Sequence, residues 1–198
     1  MTNTGECVLL ILSSPSGAGK TSLSKKIQKE IKNFEISISH TTRKPRKDEI
    51  NGKDYHFISK DDFSKKIKNN DFYEYAKIYD NYYGTSKDSV NTLLKQNKNI
   101  IFDIDWQGTQ QLVKFSNLKF LKIFLLPPNK SELEKRLISR NKDSNTSLLK
   151  RLKAYEEDKL HWKEYDIVLV NNDLEICYSQ LKKIITNYSD KSQLPSFS

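Results

Sequence analysis

An α/β architecture, a parallel sheet flanked by helices, is what this chain predicts, on three grounds. Short apolar runs of strand length recur at residues 8–12, 100–102, 122–126 and 166–170. Between successive runs lies enough chain for the crossover helices that parallel strands require. A glycine-bearing turn, Ser14-Pro15-Ser16-Gly17-Ala18-Gly19-Lys20-Thr21, joins the first run to a helical pattern.

Val-Leu-Leu-Ile-Leu at 8–12 has no polar face, as a central buried strand should not. Leu23, Ile27, Ile31 and Phe34 then recur at helical spacing and predict an amphipathic helix over 20–33 packed on that strand. Residues 37–88 break the alternation. They are polar and tyrosine-rich, with turns at Lys44-Pro45-Arg46 and Asn51-Gly52, and read as a small antiparallel insertion. The strands at 100–102 and 122–126 follow, then helical patterns at 131–139 and 148–160 separated by the wholly polar run 140–147. Helix, polar loop, helix predicts a mobile flap. After the strand at 166–170, a last helix over 174–188 carries Leu174, Cys177, Tyr178, Leu181, Ile184, Ile185 and Tyr188 on one stripe, and 189–198 reads as a frayed tail.

The 198 residues amount to one domain. A chain of that size buries about 70% of the surface it exposes when unfolded, so its core needs no disulfide or structural metal. Cys7 and Cys177 make no disulfide framework. The longest apolar run, at 8–12, is far short of the roughly 20 residues of a membrane span, and no cleavable leader follows it. The expectation is a soluble, reduced, cytoplasmic protein.

A net charge of +9 points toward an anionic partner. That total is diluted by composition, because the 34 basic residues divide into 29 Lys and 5 Arg beside 18 Ile, 16 Asn and 3 Ala. Where lysine is written almost everywhere, each arginine is informative, since its planar fork grips phosphate bidentately. The five are Arg43, Arg46, Arg136, Arg140 and Arg151.

The turn at 14–21 has the context of a phosphate loop, with strand before and helix after. Its glycines let backbone N–H groups face an anion, and the helix N-terminus adds partial positive charge. Lys20 would reach the β and γ phosphates and the Thr21 hydroxyl would ligand Mg²⁺. Ser14 stands where the strict pattern has its first glycine. Asp103, closing the run at 100–102, would face the loop and help hold Mg²⁺ through water. Downstream, Arg43 and Arg46 flank a proline turn with hydroxyls on both sides, a set suited to clamping one phosphate.

These residues resemble the guanylate kinase family. The likeness runs from the phosphate loop through S-x-S-x-T-T-R-x-P-R at 37–46, N-G-x-D-Y-x-F at 51–57, Tyr83-Gly84-Thr85 and Asp103-Ile104-Asp105-Trp106-Gln107-Gly108. It continues in Arg140, Lys150-Arg151-Leu152, Glu164-Tyr165-Asp166 and Val170-Asn171-Asn172-Asp173, so it covers nearly the whole chain. It implies a P-loop NTPase-like parallel sheet core formed by 1–36, 89–128 and 160–198, a small mixed or antiparallel β insertion at 37–88 that binds GMP, and a helical lid at 129–159. The implied reaction moves the γ-phosphoryl group of ATP, with Mg²⁺, to GMP, giving ADP and GDP in purine nucleotide metabolism, with dGMP expected as a substrate of the same pocket. No nucleic acid or membrane partner is implied, and the chain would act as a monomer or homo-oligomer.

By the same resemblance Lys20, Arg43, Arg140 and Arg151 carry the chemistry. Ser14, Pro15, Ser16, Gly17, Ala18, Gly19, Lys20, Thr21 and Ser22 hold ATP, with Asn171 near its base. Arg43, Arg46, Tyr55 and Tyr83 bind the GMP phosphate, while Ser39, Glu74, Thr85 and Asp105 read guanine, and Thr21 and Asp103 serve the metal. The chemistry agrees: guanine offers N1–H and N2–H₂ as adjacent donors, which a two-oxygen carboxylate such as Glu74 can accept together, and the Ser39 and Thr85 hydroxyls can donate to O6. Adenine would leave these groups unpaired, a mismatch that discriminates by about 10⁴. Asp48 and Asn141, like Ser14, replace glycines usual in the family. The competing reading is a guanylate-kinase-like interaction module without catalysis, which should lack the loop lysine or lid arginines that this chain keeps. His40, His56 and His161 have no metal-ligand spacing, and Trp106 and Trp162 read as packing residues.

Overall fold

A computed structural model describes residues 7–139 and 145–189. In chain order the elements are β1 (Leu9–Ser13), α1 (Lys20–Glu30), β2 (Phe34–Ile36), β3 (His40–Thr41), β4 (His56–Phe57), α2 (Lys60–Lys68), β5 (Phe72–Ile78), β6 (Asn81–Ser86) and α3 (Lys87–Lys95). They continue with β7 (Asn99–Asp103), α4 (Trp106–Leu112), β8 (Phe120–Leu126), α5 (Lys130–Ser139), α6 (Asn145–Asp158), a 3-10 segment at Lys159–Glu164, β9 (Ile167–Val170) and α7 (Leu174–Ser189).

The larger sheet has five strands in the order β2-β7-β1-β8-β9, and every pairing in it is parallel. β1 lies at its centre and is buried along its whole length. Alternation along β1 feeds two cores. Leu10 and Leu12 pack with Leu23 and Ile27 of α1 and with Leu181 and Ile185 of α7. Leu9 and Ile11 pack on the other face with Val90 of α3 and Leu112 of α4. Each such fully buried side chain contributes about 1.5–3 kcal/mol, so the strand that launches the phosphate loop is firmly held on both faces.

The helix after the loop is shorter than its apolar spacing suggests. α1 stops at Glu30, Ile31 is extended, and Asn33 turns the chain with φ 68°, a conformation that asparagine tolerates. Phe34 then opens β2, an edge strand without a sequence signal of its own. It packs in the same core as Leu23 and Ile27, so the helical spacing records shared burial and not a shared helix.

The smaller sheet, β4-β3-β6-β5, is mixed: β5–β6 and β3–β6 are antiparallel, while the two-residue strand β4 joins β3 in parallel. Its own apolar centre is Phe63 of α2, stacked on Phe72 at 4.7 Å and tilted against Tyr82 at 5.5 Å. α2 begins on Ser59, whose hydroxyl accepts from the Asp62 N–H, and it carries Asp61 and Asp62 in its first turn, both stabilising at that end.

β1 and β7 are neighbours, with Leu12 opposite Asp103. The chain leaves both strands at the same sheet edge, which brings residues 14–19 and 104–105 together at the carboxyl ends of the strands, where open α/β sheets form their binding crevice. Among the described residues no helix is long and apolar enough to cross a membrane.

Candidate active site

A cleft of about 350 Å³ opens at that edge. One end is the turn after β1. Gly17 and Gly19 adopt φ 96° and 103°, the left-handed region where a side chain is strained. Ser14 is absent from that region, which is why serine is accommodated where a glycine is usual. Lys20 Nζ sits 2.9 Å from Asp103 Oδ1 and donates to the Ile104 carbonyl at 2.8 Å, so the β7 edge holds the lysine at the mouth of the turn.

The turn is braced from behind. Asn171, buried at the end of β9, donates its amide to the Ala18 carbonyl at 2.7 Å, and a Cβ on Gly19 would collide with that amide. Arg136, to which the sequence reading gives no role, donates to the Asn171 carbonyl at 2.9 Å and to the Asn172 carbonyl at 3.3 Å. A Cβ on Gly17 would come within 2.8 Å of Leu133 and 2.9 Å of Leu137, so α5 packs directly on the loop. From α6, Arg151 donates to the Ser16 hydroxyl at 2.7 Å.

The opposite end is built from the smaller sheet. Arg43, Arg46, Tyr55 and Tyr83 line it. The Arg43 guanidinium lies 5.4 Å from the Tyr55 ring centre and 5.7 Å from that of Phe57, a cation on aromatic faces. Burial holds the Tyr55 phenol well above its ordinary value, so it stays a hydrogen-bond donor.

Between the two ends stand Ser39, Glu74 and Asp105. Glu74 is 3% exposed, and burial pushes its carboxyl up to about 7 despite the hydrogen bond from the Thr85 hydroxyl at 2.5 Å. Gly108 leaves room for this carboxylate, since a Cβ there would strike Oε2. Asp105 caps α4, accepting from the Gly108 N–H at 3.0 Å through Oδ1.

Four of the residues picked out in the sequence do not line the cleft: Ala18, Ser22, Thr85 and Asn171. Ala18 and Asn171 are buried in the loop and its brace, and Ser22 is exposed on α1. Thr85 is fully buried one layer back, where its hydroxyl donates to Glu74. Arg140 and Asn141 lie outside the described residues. Conversely, the cleft wall includes Trp106, Glu157 and Asp158, which the sequence reading leaves out. Trp106 Nε1 donates to Asp158 Oδ1 at 3.1 Å and its ring stacks on His161 at 3.7 Å, tying the end of α6 to α4. Burial pushes the Asp158 carboxyl up to about 6, against the Trp106 hydrogen bond and with help from nearby Asp105.

The geometry therefore offers a backbone anion cradle with a lysine, an arginine pair, and ionisable acceptors between them. Such a cleft can hold two phosphorylated ligands facing each other and read one by its donors.

Comparison with known proteins agrees with this reading. The family model described as guanylate kinase matches residues 7–188. The guanylate kinase of Maricaulis maris (strain MCS10) is 43% identical over 178 residues, 90% of this chain and 82% of that protein. That of Rickettsia felis (strain ATCC VR-1525 / URRWXCal2) is 42% identical over 192 residues, 97% of this chain and 100% of the relative. The crystal structure of guanylate kinase from Anaplasma phagocytophilum superposes with a TM-score of 0.77 at 30% identity, covering 94% of this chain and 88% of that one.

Proposed function

The chain belongs to the guanylate kinase family, and on that premise we propose that it transfers the γ-phosphoryl group of ATP to GMP, giving ADP and GDP. The observation that carries this is a single cleft lined at one end by the Gly17–Gly19 turn with Lys20 and at the other by Arg43 and Arg46, with Glu74 and Asp105 between. In this reading residues 37–88 form the GMP-binding insertion, 129–159 the lid, and the remainder the core.

The backbone N–H groups of 14–21 cradle the β and γ phosphates, and Lys20 turns from Asp103 toward the oxygens that gain charge as the phosphoryl group moves. Arg151, already beside Ser16, approaches the same oxygens from the lid, joined by Arg140. Arg43, Arg46, Tyr55 and Tyr83 hold the acceptor phosphate in line. Ionised Glu74 accepts N1–H and N2–H of guanine, Asp105 takes the exocyclic amine through its oxygen away from the α4 cap, and the Ser39 hydroxyl donates to O6. Asn171 serves the ATP site by steadying the turn.

Thr21 on the cleft wall and Asp103 beside Lys20 are hard oxygen donors of the kind Mg²⁺ takes when phosphate oxygens and water complete its shell. Among the described residues no group of three or more His, Cys, Asp or Glu could hold a metal alone, so the nucleotide would bring most of the ligands. Bound there, the ion would neutralise charge on the β and γ phosphates.

A coupled phosphoryl-transfer assay with ATP, Mg²⁺ and GMP, dGMP, AMP, CMP and UMP tests the proposal. Turnover of GMP and dGMP with the other three near background is expected, and AMP turnover equal to that of GMP overturns the guanine assignment.

A further inference from the structure

Glu49 belongs to no binding set described above, yet its carboxylate reaches both arginines of the phosphate clamp. Oε1 lies 2.8 Å from Arg43 Nη2 and 3.5 Å from Arg46 Nη1, while Oε2 accepts the Arg46 backbone N–H at 2.8 Å. The turn closes on itself, because the Glu49 N–H donates to the Arg46 carbonyl at 3.1 Å. Arg43 Nη1 is fixed in addition by the Lys44 carbonyl at 2.8 Å. Arg43, Arg46, Tyr55 and Tyr83 line the cleft, whereas Glu49 touches both guanidinium groups without lining it.

We propose that Glu49 is the positioning residue of the monophosphate clamp: it holds two like-charged guanidinium groups side by side and aims their remaining N–H edges into the cleft. The proposal rests on the GMP reading of the cleft and deepens it. Two arginines three residues apart repel, and an unbraced arginine side chain has rotamer freedom that a phosphate would have to quench on binding. A shared carboxylate removes both penalties before the ligand arrives, which is preorganisation. The alternative, a carboxylate that blocks the clamp until phosphate displaces it, requires Glu49 to line the cleft, which it does not, and its second oxygen is engaged by the Arg46 N–H. Burial alone would raise the Glu49 carboxyl, but the Arg43 and Arg46 hydrogen bonds outweigh it and keep the group below its ordinary value, so the strut is charged at neutral pH.

Steady-state kinetics on the full chain carrying Glu49→Ala and Glu49→Gln test this, with guanosine, which lacks the phosphate, as a competitive probe. For Glu49→Ala the KM for GMP should rise about 10-fold or more, the equivalent of one charge-assisted hydrogen bond. The kcat at saturating GMP, the KM for ATP and the inhibition constant of guanosine should stay within about twofold of wild type on that scale. Glu49→Gln should fall between, because its amide oxygen still accepts from the Arg46 N–H but carries no charge. A KM for GMP within twofold of wild type in both variants overturns the proposal. So does an equal loss of guanosine binding, which would mean that the insertion is merely disordered, and so does a lowered KM for GMP, which would make Glu49 a competitor. Absence of GMP turnover by the wild type would instead overturn the reading of the cleft itself.

Discussion

The two ends of the cleft are built by different means. The turn after β1 is made of backbone, launched from a buried strand and braced by Asn171 after β9 and by Leu133 and Leu137 of α5. The end formed by the smaller sheet is made of side chains, with arginines held by a carboxylate and the proposed guanine reader, Glu74, kept in place by Thr85. A backbone cradle recognises phosphate whatever base it carries. Side chains can distinguish bases, at the cost of resting on ionisation states and single hydrogen bonds. Changes at the first end should therefore alter rate, and changes at the second should alter which nucleotide is accepted.

The largest effect is expected from Lys20→Ala. Loss of the lysine cation at the mouth of the turn should lower kcat by about 10³, with GMP affinity by titration and the circular dichroism spectrum unchanged. Retention of wild-type turnover would break the division between the ends. Arg43→Lys, which keeps charge but loses the fork, should weaken GMP binding by about 10–100-fold in calorimetry and leave ATP binding alone. Protonation should act only on the side-chain end. Because the Glu74 carboxyl sits at about 7 in the empty protein, binding that needs its ionised form should weaken as pH falls below that value, about tenfold per unit, and level off above it. Guanosine is the ligand for this titration, since the phosphate of GMP has its own ionisation near pH 6. Glu74→Gln should flatten the profile, whereas persistence of the slope would assign it to Asp158, the neighbouring carboxyl at about 6. The same Glu74 shift opposes folding: its cost is absent below the ordinary value of 4.5, grows between 4.5 and about 7, and is complete above. The smallest effect, a rise of about fivefold in the KM for ATP with no change for GMP, is expected of Asn171→Ala, which removes one buried hydrogen bond from the back of the turn.

How much of this was legible in the sequence follows the same division. The strand, turn and helix around 14–21 are contiguous, so local pattern sufficed, and Arg43 and Arg46 stood out by their chemistry beside a proline turn, whereas Glu74 could be named only through the family resemblance. The bracing contacts were not legible. Asn171 reaches Ala18 across 153 positions, Arg136 reaches Asn171 across 35, and Trp106 reaches Asp158 across 52, contacts that no local periodicity records. Phe34 misled for a physical reason, since apolar residues feeding one core can keep helical spacing after the helix has ended. Thr85 was recognisable as a residue of the guanine pocket, but only the buried hydrogen bond reveals that it acts on Glu74.

The claim that side chains at the insertion end choose the base is tested most directly by the ratio of kcat/KM for GMP to that for AMP, measured in wild type and in Glu74→Gln. Wild type should favour GMP by about 10⁴, and the variant should lose most of that preference through a fall in the GMP value. An unchanged ratio in Glu74→Gln would contradict the account.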